Sequence, residues 1–267
     1  MSEAFFLKHD TDTTRFTPTE HTRGPWSESH CHAGPPTGLL ARAMEQAIPD
    51  QRLTRITVEL TRPIPFEGFF VTADVLRQGR TVSTAQAHIH ALDGKPVLSA
   101  NGLFMTRADP SLVFSSEVQK QQAKAGYGLP QDASDGPFPI KQTLHGLPAF
   151  NGVGVQTRYP EGETAEAGKT AAWLKTVPLV LGEIASPFQR ICPLADCGNA
   201  FGRLAEPDQI TFMNTDLTVV LHRDPDGEWL GTDSECFWET SGIGLSDSRL
   251  FDQHGVVGRA VQTLLLR

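Results

Sequence analysis

Asp196, Asn214 and Gln262 are three side chains whose types together could set a water molecule to work. A carboxylate can act as general base toward water, and two amides can hold that water in line for attack. Each residue also has an ordinary structural explanation. An Asp that opens a helix, as Asp196 is expected to do, caps unpaired N–H groups at the positive end of the helix dipole. Gln262 shares a strand face with Gly258, Ala260, Leu264 and Leu266. A satisfied core glutamine is the plain reading there, because a buried amide without a partner costs about 1–3 kcal/mol. Asn214 alternates with Ile210, Phe212, Asp216 and Thr218, and Asn is common near strand beginnings and in turns. As a set, they bring one carboxylate and two amides into a single half of the chain. Helix N-terminal N–H groups would supply an oxyanion site for the tetrahedral intermediate of acyl transfer. Thioester hydrolysis fits such equipment and needs neither metal nor cofactor.

Other chemistries are less well supplied. There is no G-x-S-x-G elbow to present a serine nucleophile. Cys197 has no nearby His in the sequence to activate it. His30, Cys31 and His32 alternate as a metal pair could, but the further ligands that zinc requires are not evident. They read instead as a polar lead-in to a helix, with His30 or His32 available to line an entrance. The glycines of SGIGLSD fall between two strands with no helix after them, so they read as a turn and not a phosphate loop.

The elements that must position these groups come as a repeat. HAGPPTGLLARAME at 32–45 aligns without gaps to PLADCGNAFGRLAE at 193–206, an offset of 161, matching Arg42 to Arg203 and Glu45 to Glu206. Both segments carry apolar residues at helical spacing, which predicts one short helix with one buried stripe in each half. Pro35 and Pro36 suit a first helical turn, where their missing N–H groups are not needed. After each helix come alternating segments, a turn at Asp93-Gly94 or His254-Gly255, and a last strand closing on Arg107 or Arg267. Period-two alternation with glycine turns predicts antiparallel strands. Further short strands are expected around 4–17 and 152–177. Against this repeat, Asp196 stands opposite Pro35, Asn214 opposite Leu53 and Gln262 opposite Gly102.

Residues 108–146, rich in Pro, Gly, Gln and charge, read as a linker. The expected organisation is therefore an α+β chain of two tandem hot-dog domains, 1–107 and 147–267, each an antiparallel sheet wrapped around a central helix. Composition agrees: 267 residues, 39% hydrophobic and 20% charged, suit two small globular domains. The net charge of −8 argues against nucleic acid as a partner. No apolar run is long enough to span a membrane, and the first residues do not read as a signal peptide. The four cysteines form no CxxC pair, which fits free thiols in a cytoplasmic protein.

The residues HAGPPTGLLARAME, RPIPFEGFFVTADVLRQGRTVSTAQAHI, PLADCGNAFG and AVQTLLLR carry a resemblance to the acyl-CoA thioesterase II (TesB-like) family of double hot-dog proteins. It covers nearly the whole chain except the linker. The resemblance implies hydrolysis of a small-molecule acyl-CoA, with coenzyme A arriving as part of the substrate. In that family a water is activated by an Asp on the second central helix, a Thr or Ser on the following strand and a Gln on the last strand. By position this implies Asp196 and Gln262, while the hydroxyl position falls on Asn214, a departure; Thr215 and Thr218 are alternatives if the register slips. The related hydratases pair their Asp with a His five positions on, where this chain has Phe201. A non-catalytic acyl-CoA-binding protein is the reading from another class, kept open by Asn214. Exposed hot-dog sheets commonly associate, so a homo-oligomer is a further expectation.

Overall fold

A continuous antiparallel sheet runs through both halves of the computed structural model, which describes residues 3–108, 127–140 and 143–267. The first half contributes β1 (Phe6–Lys8), β2 (Arg15–Pro18), helix α1 (Gly34–Ala47), β3 (Arg52–Leu60), β4 (Phe69–Arg77), β5 (Val82–Ala91) and β6 (Pro96–Met105). The second contributes β7 (Ser134–Gly136), β8 (Val155–Tyr159), β9 (Thr170–Thr176), helices α2 (Pro187–Ala195) and α3 (Gly198–Phe201), and then β10 (Phe212–Asn214) and β11 (Asp216–Leu221). It closes with β12 (Leu230–Trp238), β13 (Ile243–Asp252) and β14 (Gly255–Leu266). The spatial order is β1-β2-β4-β5-β6-β3-β11-β14-β13-β12-β9-β8-β7, with β10 also paired to β14. Each half thus wraps an antiparallel sheet around its helices, the hot-dog arrangement expected from the repeat.

Local chemistry explains the elements. In β5, Ser83, Ala85, Ala87 and Ile89 alternate inward and are buried, as period two requires. Pro35 and Pro36 occupy the first turn of α1, and Leu39, Leu40 and Met44 bury its inner stripe. Gly94 and Gly255 turn the last hairpin of each half with φ of 82° and 121°, values that L side chains rarely adopt.

The two halves meet where β3 pairs antiparallel with β11, Thr57 opposite Thr218. These residues are 161 apart, and their hydroxyls lie 3.2 Å from each other across the seam. The pairs on either side, Asp216 with Glu59 and Val220 with Arg55, are each other's repeat equivalents. A pseudo-two-fold axis therefore passes through Thr57 and Thr218. The same offset joins β4 to β12 and β5 to β13 end to end. In the last strand the offset falls by one: Gly102 pairs with Ala85, and Gln262 with Ser246. Gln262 therefore does stand in the place of Gly102.

The helices break the symmetry. Asp196 does not open a helix. The second helix begins at Pro187 behind the cap Ser186, whose side chain accepts the Gln189 N–H, and Asp196 is its C-terminal cap. Pro193 lies within the last turn, where it cannot donate to the Gln189 carbonyl; the helix ends after Ala195 and restarts at Gly198 as α3. The segment expected to be linker also contributes structure, since β7 pairs with β8; its residues 109–126 and 141–142 lie outside the described residues. All four cysteines are free and buried. Among the described residues no helix is long and apolar enough to cross a membrane.

Candidate active site

Asp196 sits at the break between α2 and α3, only 4% exposed. The strands that follow bring both predicted amides to it. Asn214, the last residue of β10, donates its Nδ2 to Asp196 Oδ1 at 2.8 Å. Gln262 donates Nε2 to the same oxygen at 3.1 Å and to the Asp196 backbone carbonyl at 3.2 Å, while its Oε1 accepts the Asn199 N–H at 3.1 Å. The amides therefore grip the carboxylate itself. Of the two alternatives to Asn214, Thr215 turns its hydroxyl to the Thr263 carbonyl and Thr218 lies at the seam. The chain breaks step between β10 and β11, so Asp216 and Thr218 are not on the buried face with Leu217 and Val219, contrary to simple alternation through Asn214.

The other carboxylate oxygen faces the N-terminal half. His32 Nδ1 lies 3.1 Å from Asp196 Oδ2. The Gly34 N–H donates to His32 Nδ1 at 3.2 Å and also favours the ionised Asp196 carboxylate. This close approach depends on Gly34, where a Cβ would fall 2.8 Å from the Cα and carbonyl oxygen of Pro193. The His32 ring stacks on buried Phe150, centroids 4.2 Å apart, which fixes its plane. Burial pushes the Asp196 carboxyl up to about 7, against the opposing effects of Asn214, the Gly34 N–H and Gln262. Burial likewise holds the His32 imidazole down to about 4. Near neutral pH the ring is uncharged and the carboxyl is poised to lose its proton.

Asp196, Asn214 and His32 open onto a cavity of about 370 Å³ at the junction of the two halves. Its walls are largely apolar, among them Trp26, Ile64, Phe138 and Phe212, with Asn151 and Asn199 as polar groups. Trp26 packs edge-on against Phe212, which also contacts Trp238. The Asn151 Nδ2 donates to the Ile140 carbonyl, whereas its buried Oδ1 has no partner among the described residues. A larger cavity of about 570 Å³, beside β9 and α2, has none of the three predicted site residues in its lining.

Two expectations need correction. The helix that follows Asp196 is α3, beginning at Gly198, and its Asn199 N–H is taken by Gln262 Oε1. The N-terminus of α1 also reaches Asp196, but Pro35 and Pro36 have no N–H groups and the Gly34 N–H is already engaged, so these groups are not free to bind an oxyanion. Secondly, an imidazole does accompany the carboxylate, but it comes from residue 32, while Phe201 packs against Phe138 and Tyr159. His32, read from the sequence as part of a polar lead-in that could line an entrance, does line this cavity, as does His30.

Comparison with known proteins bears on this arrangement. Residues 22–105 match the family profile described as acyl-CoA thioesterase N-terminal domain, and residues 130–266 the one described as acyl-CoA thioesterase C-terminal domain. The curated proteins contain no significant match. Among solved structures, a conserved protein with the hot-dog fold from Alicyclobacillus acidocaldarius superposes with a TM-score of 0.73 at 15% identity, over 99% of this chain and 97% of the other. The acyl-CoA thioesterase II TesB2 of Mycobacterium marinum gives a TM-score of 0.62 at 16% identity, covering 97% and 95% of the two chains. A tesB protein of Mycobacterium avium subs paratuberculosis gives 0.63 at 14% identity, covering 97% and 95%. At such identities the likeness establishes the double hot-dog fold alone.

Proposed function

The chain belongs to the acyl-CoA thioesterase family, and from that premise we propose that it hydrolyses an acyl-CoA to free acid and CoA through a water activated at Asp196. The observation that carries this reading is the buried carboxyl raised to about 7 and held by Asn214 and Gln262 at the wall of an apolar cavity. Once ionised, a carboxylate so placed supplies the negative charge that draws a proton from water. The two amides fix its plane, and the surrounding apolar walls keep its charge unscreened.

The acyl group would lie among Trp26, Phe138 and Phe212, with the thioester carbonyl toward Asp196. The Asn199 side chain, which lines the same cavity, is the donor proposed for the developing oxyanion. Asn151 Oδ1, buried and unpartnered among the described residues, suits an amide N–H of the pantetheine arm. On this reading the reaction uses no metal and no cofactor; CoA enters only as the leaving group. Asn214 in place of a hydroxyl keeps the function of a donor to the carboxylate.

The test is release of free thiol from a panel of acyl-CoAs running from acetyl to palmitoyl, with an aromatic acyl group included. Wild type should turn over at least one member, and Asp196→Asn should lower kcat about 10²-fold or more. Retained acyl-CoA binding without turnover by the wild type would instead establish a binding protein.

A further inference from the structure

We propose that the acyl group taken by this site is compact and carries an aromatic ring, and that Trp26 is the residue that limits its size. This deepens the thioesterase reading above and rests on it. The cavity beside Asp196 holds about 370 Å³, toward the low end of the roughly 300–1,000 Å³ usual for ligand pockets. Asp196 is itself in the wall, so the same space must also take the thioester and the end of the pantetheine arm. Little of it is left for the acyl group.

Aromatic contacts close the walls. Trp26, from the first half, and Phe212, from the second, both line the cavity and meet edge to face with centroids 6.3 Å apart. Rings at that spacing touch, so no alkyl chain passes between them, and Trp238 backs Phe212 at 5.5 Å. Phe138 packs in the same way against Phe150 and Phe201, at 6.0 and 5.3 Å. The loop that carries Trp26 is pinned: the Gly24 N–H donates to the His30 carbonyl at 2.8 Å, and the Leu144 N–H to the Pro25 carbonyl at 2.9 Å. Phe212 precedes Asn214 by two residues on β10 and shares its face, a rise of about 7 Å. An acyl group that leaves Asp196 along β10 therefore soon meets the Phe212–Trp26 pair. Such walls favour another ring, through edge-to-face or offset contact, over a flexible chain that loses rotamer freedom on binding.

A long chain has nowhere to continue. The larger cavity, of about 570 Å³, shares no lining residue with the one at Asp196. The crossing of α1 and α2 separates them. Pro193 lines the larger cavity, and a Cβ on Gly34 would fall 2.8 Å from its Cα. Gly38 abuts the same lining, where a Cβ would fall 2.9 Å from Leu179 Cδ1 and 3.2 Å from the Gln189 carbonyl oxygen. Backbones this close leave no passage for methylenes. Those beyond the cavity would stay in water and contribute no burial.

The experiment ranks kcat/KM of the full chain for benzoyl-, phenylacetyl-, octanoyl- and palmitoyl-CoA, each kept below its micelle concentration. One of the aromatic substrates should lead both fatty ones by about tenfold or more. A fatty acyl-CoA that comes closer than that, or leads, overturns the proposal. Trp26→Ala opens the wall beside Phe212 and should raise octanoyl-CoA relative to the best aromatic substrate by about fivefold or more. A folded W26A with a smaller shift overturns the part given to Trp26. Should W26A fail to fold, Trp26→Leu, which also removes the rings, takes its place under the same criterion. A wild type that hydrolyses nothing removes the thioesterase reading itself. The same ranking, measured as acyl-CoA affinity, then tests the preference of the cavity on its own.

Discussion

Replacing Asp196 by Asn should stabilise the protein, and by an amount that grows with pH. The carboxyl has an ordinary value of 3.8 and is raised by burial to about 7 in the fold. Between those values the unfolded chain has released the proton while the folded chain retains it. Wild-type stability contributed by this group is therefore present at low pH and is lost as pH rises from about 4 to about 7. The full span corresponds to ~4 kcal/mol, of which ~3 kcal/mol falls between pH 5 and 8. His32 acts in the opposite sense: its folded value of about 4 lies below the ordinary 6.5, so its contribution is present above about 6.5 and lost on acidification. The two partly cancel in wild type. Burial sets the His32 effect in both proteins, so subtracting wild type from D196N isolates the carboxyl. Urea unfolding of the two at pH 5 and pH 8 gives the difference directly. A D196N advantage that grows by ~3 kcal/mol supports a buried, strained carboxylate; an advantage flat to within about 0.5 kcal/mol refutes it.

The pH dependence of turnover should follow the same group. kcat/KM should rise with pH through about 7 and then level off, because the ionised Asp196 is the competent form; a rate falling through that range would contradict it. Asn214→Ala removes a donor that lowers the Asp196 value, so the midpoint should move upward, and Asn214→Thr should move it part of the way back. Gly198→Ala should impair both folding and turnover. Its Cβ would fall 2.2 Å from Ser248 Oγ and 2.8 Å from Ser246 Oγ, lifting α3 from the sheet and shifting the Asn199 N–H that anchors Gln262. Such overpacking costs about 1–3 kcal/mol, readable as a lowered urea midpoint. Phe150→Ala should cost about 3–5 kcal/mol, read as a lowered urea midpoint, since a fully buried ring that stacks on His32 is removed.

The strands were legible because alternation and turn chemistry are local. The offset of 161 passes through Thr57 and Thr218 and carries β4 onto β12 and β5 onto β13. The helices were less so. Phe16 pairs with Phe69, and Leu174 with Leu230, so the offset ahead of the helices is 158. A gapless match of 32–45 to 193–206 therefore cannot follow the chain in space. Arg42 and Arg203, identical in that match, differ in role: Arg42 pairs with Glu183, whereas Arg203 binds the carbonyls of Ala165 and Ala200 beside Glu206. Pro193, which weakens the last turn of α2 by removing one helical hydrogen bond, was the local signal that Asp196 closes a helix instead of opening one. His32 was legible as a candidate to line an entrance, but its approach to Asp196 was not, since the two are 164 residues apart and meet only where α1 and α2 cross.

The pseudo-symmetry also explains why there should be one site and not two. The axis that relates the halves carries Asn214 onto Leu53 and Gln262 onto Gly102. Neither of these two positions in the first half offers an amide. Leu53 is 1% exposed, and a side chain on Gly102 would meet Met44 Sδ at 2.7 Å. The volume that receives the Gln262 amide in one half is thus filled by Met44 in the other, sealing an apolar core. The first half retains a different task. It sends His32 and the Gly34 N–H across the junction to the single carboxylate of the second. Neither half then holds the complete set of groups around Asp196, and physical separation of the two would remove His32 from the carboxylate while leaving Asn214 and Gln262 in place.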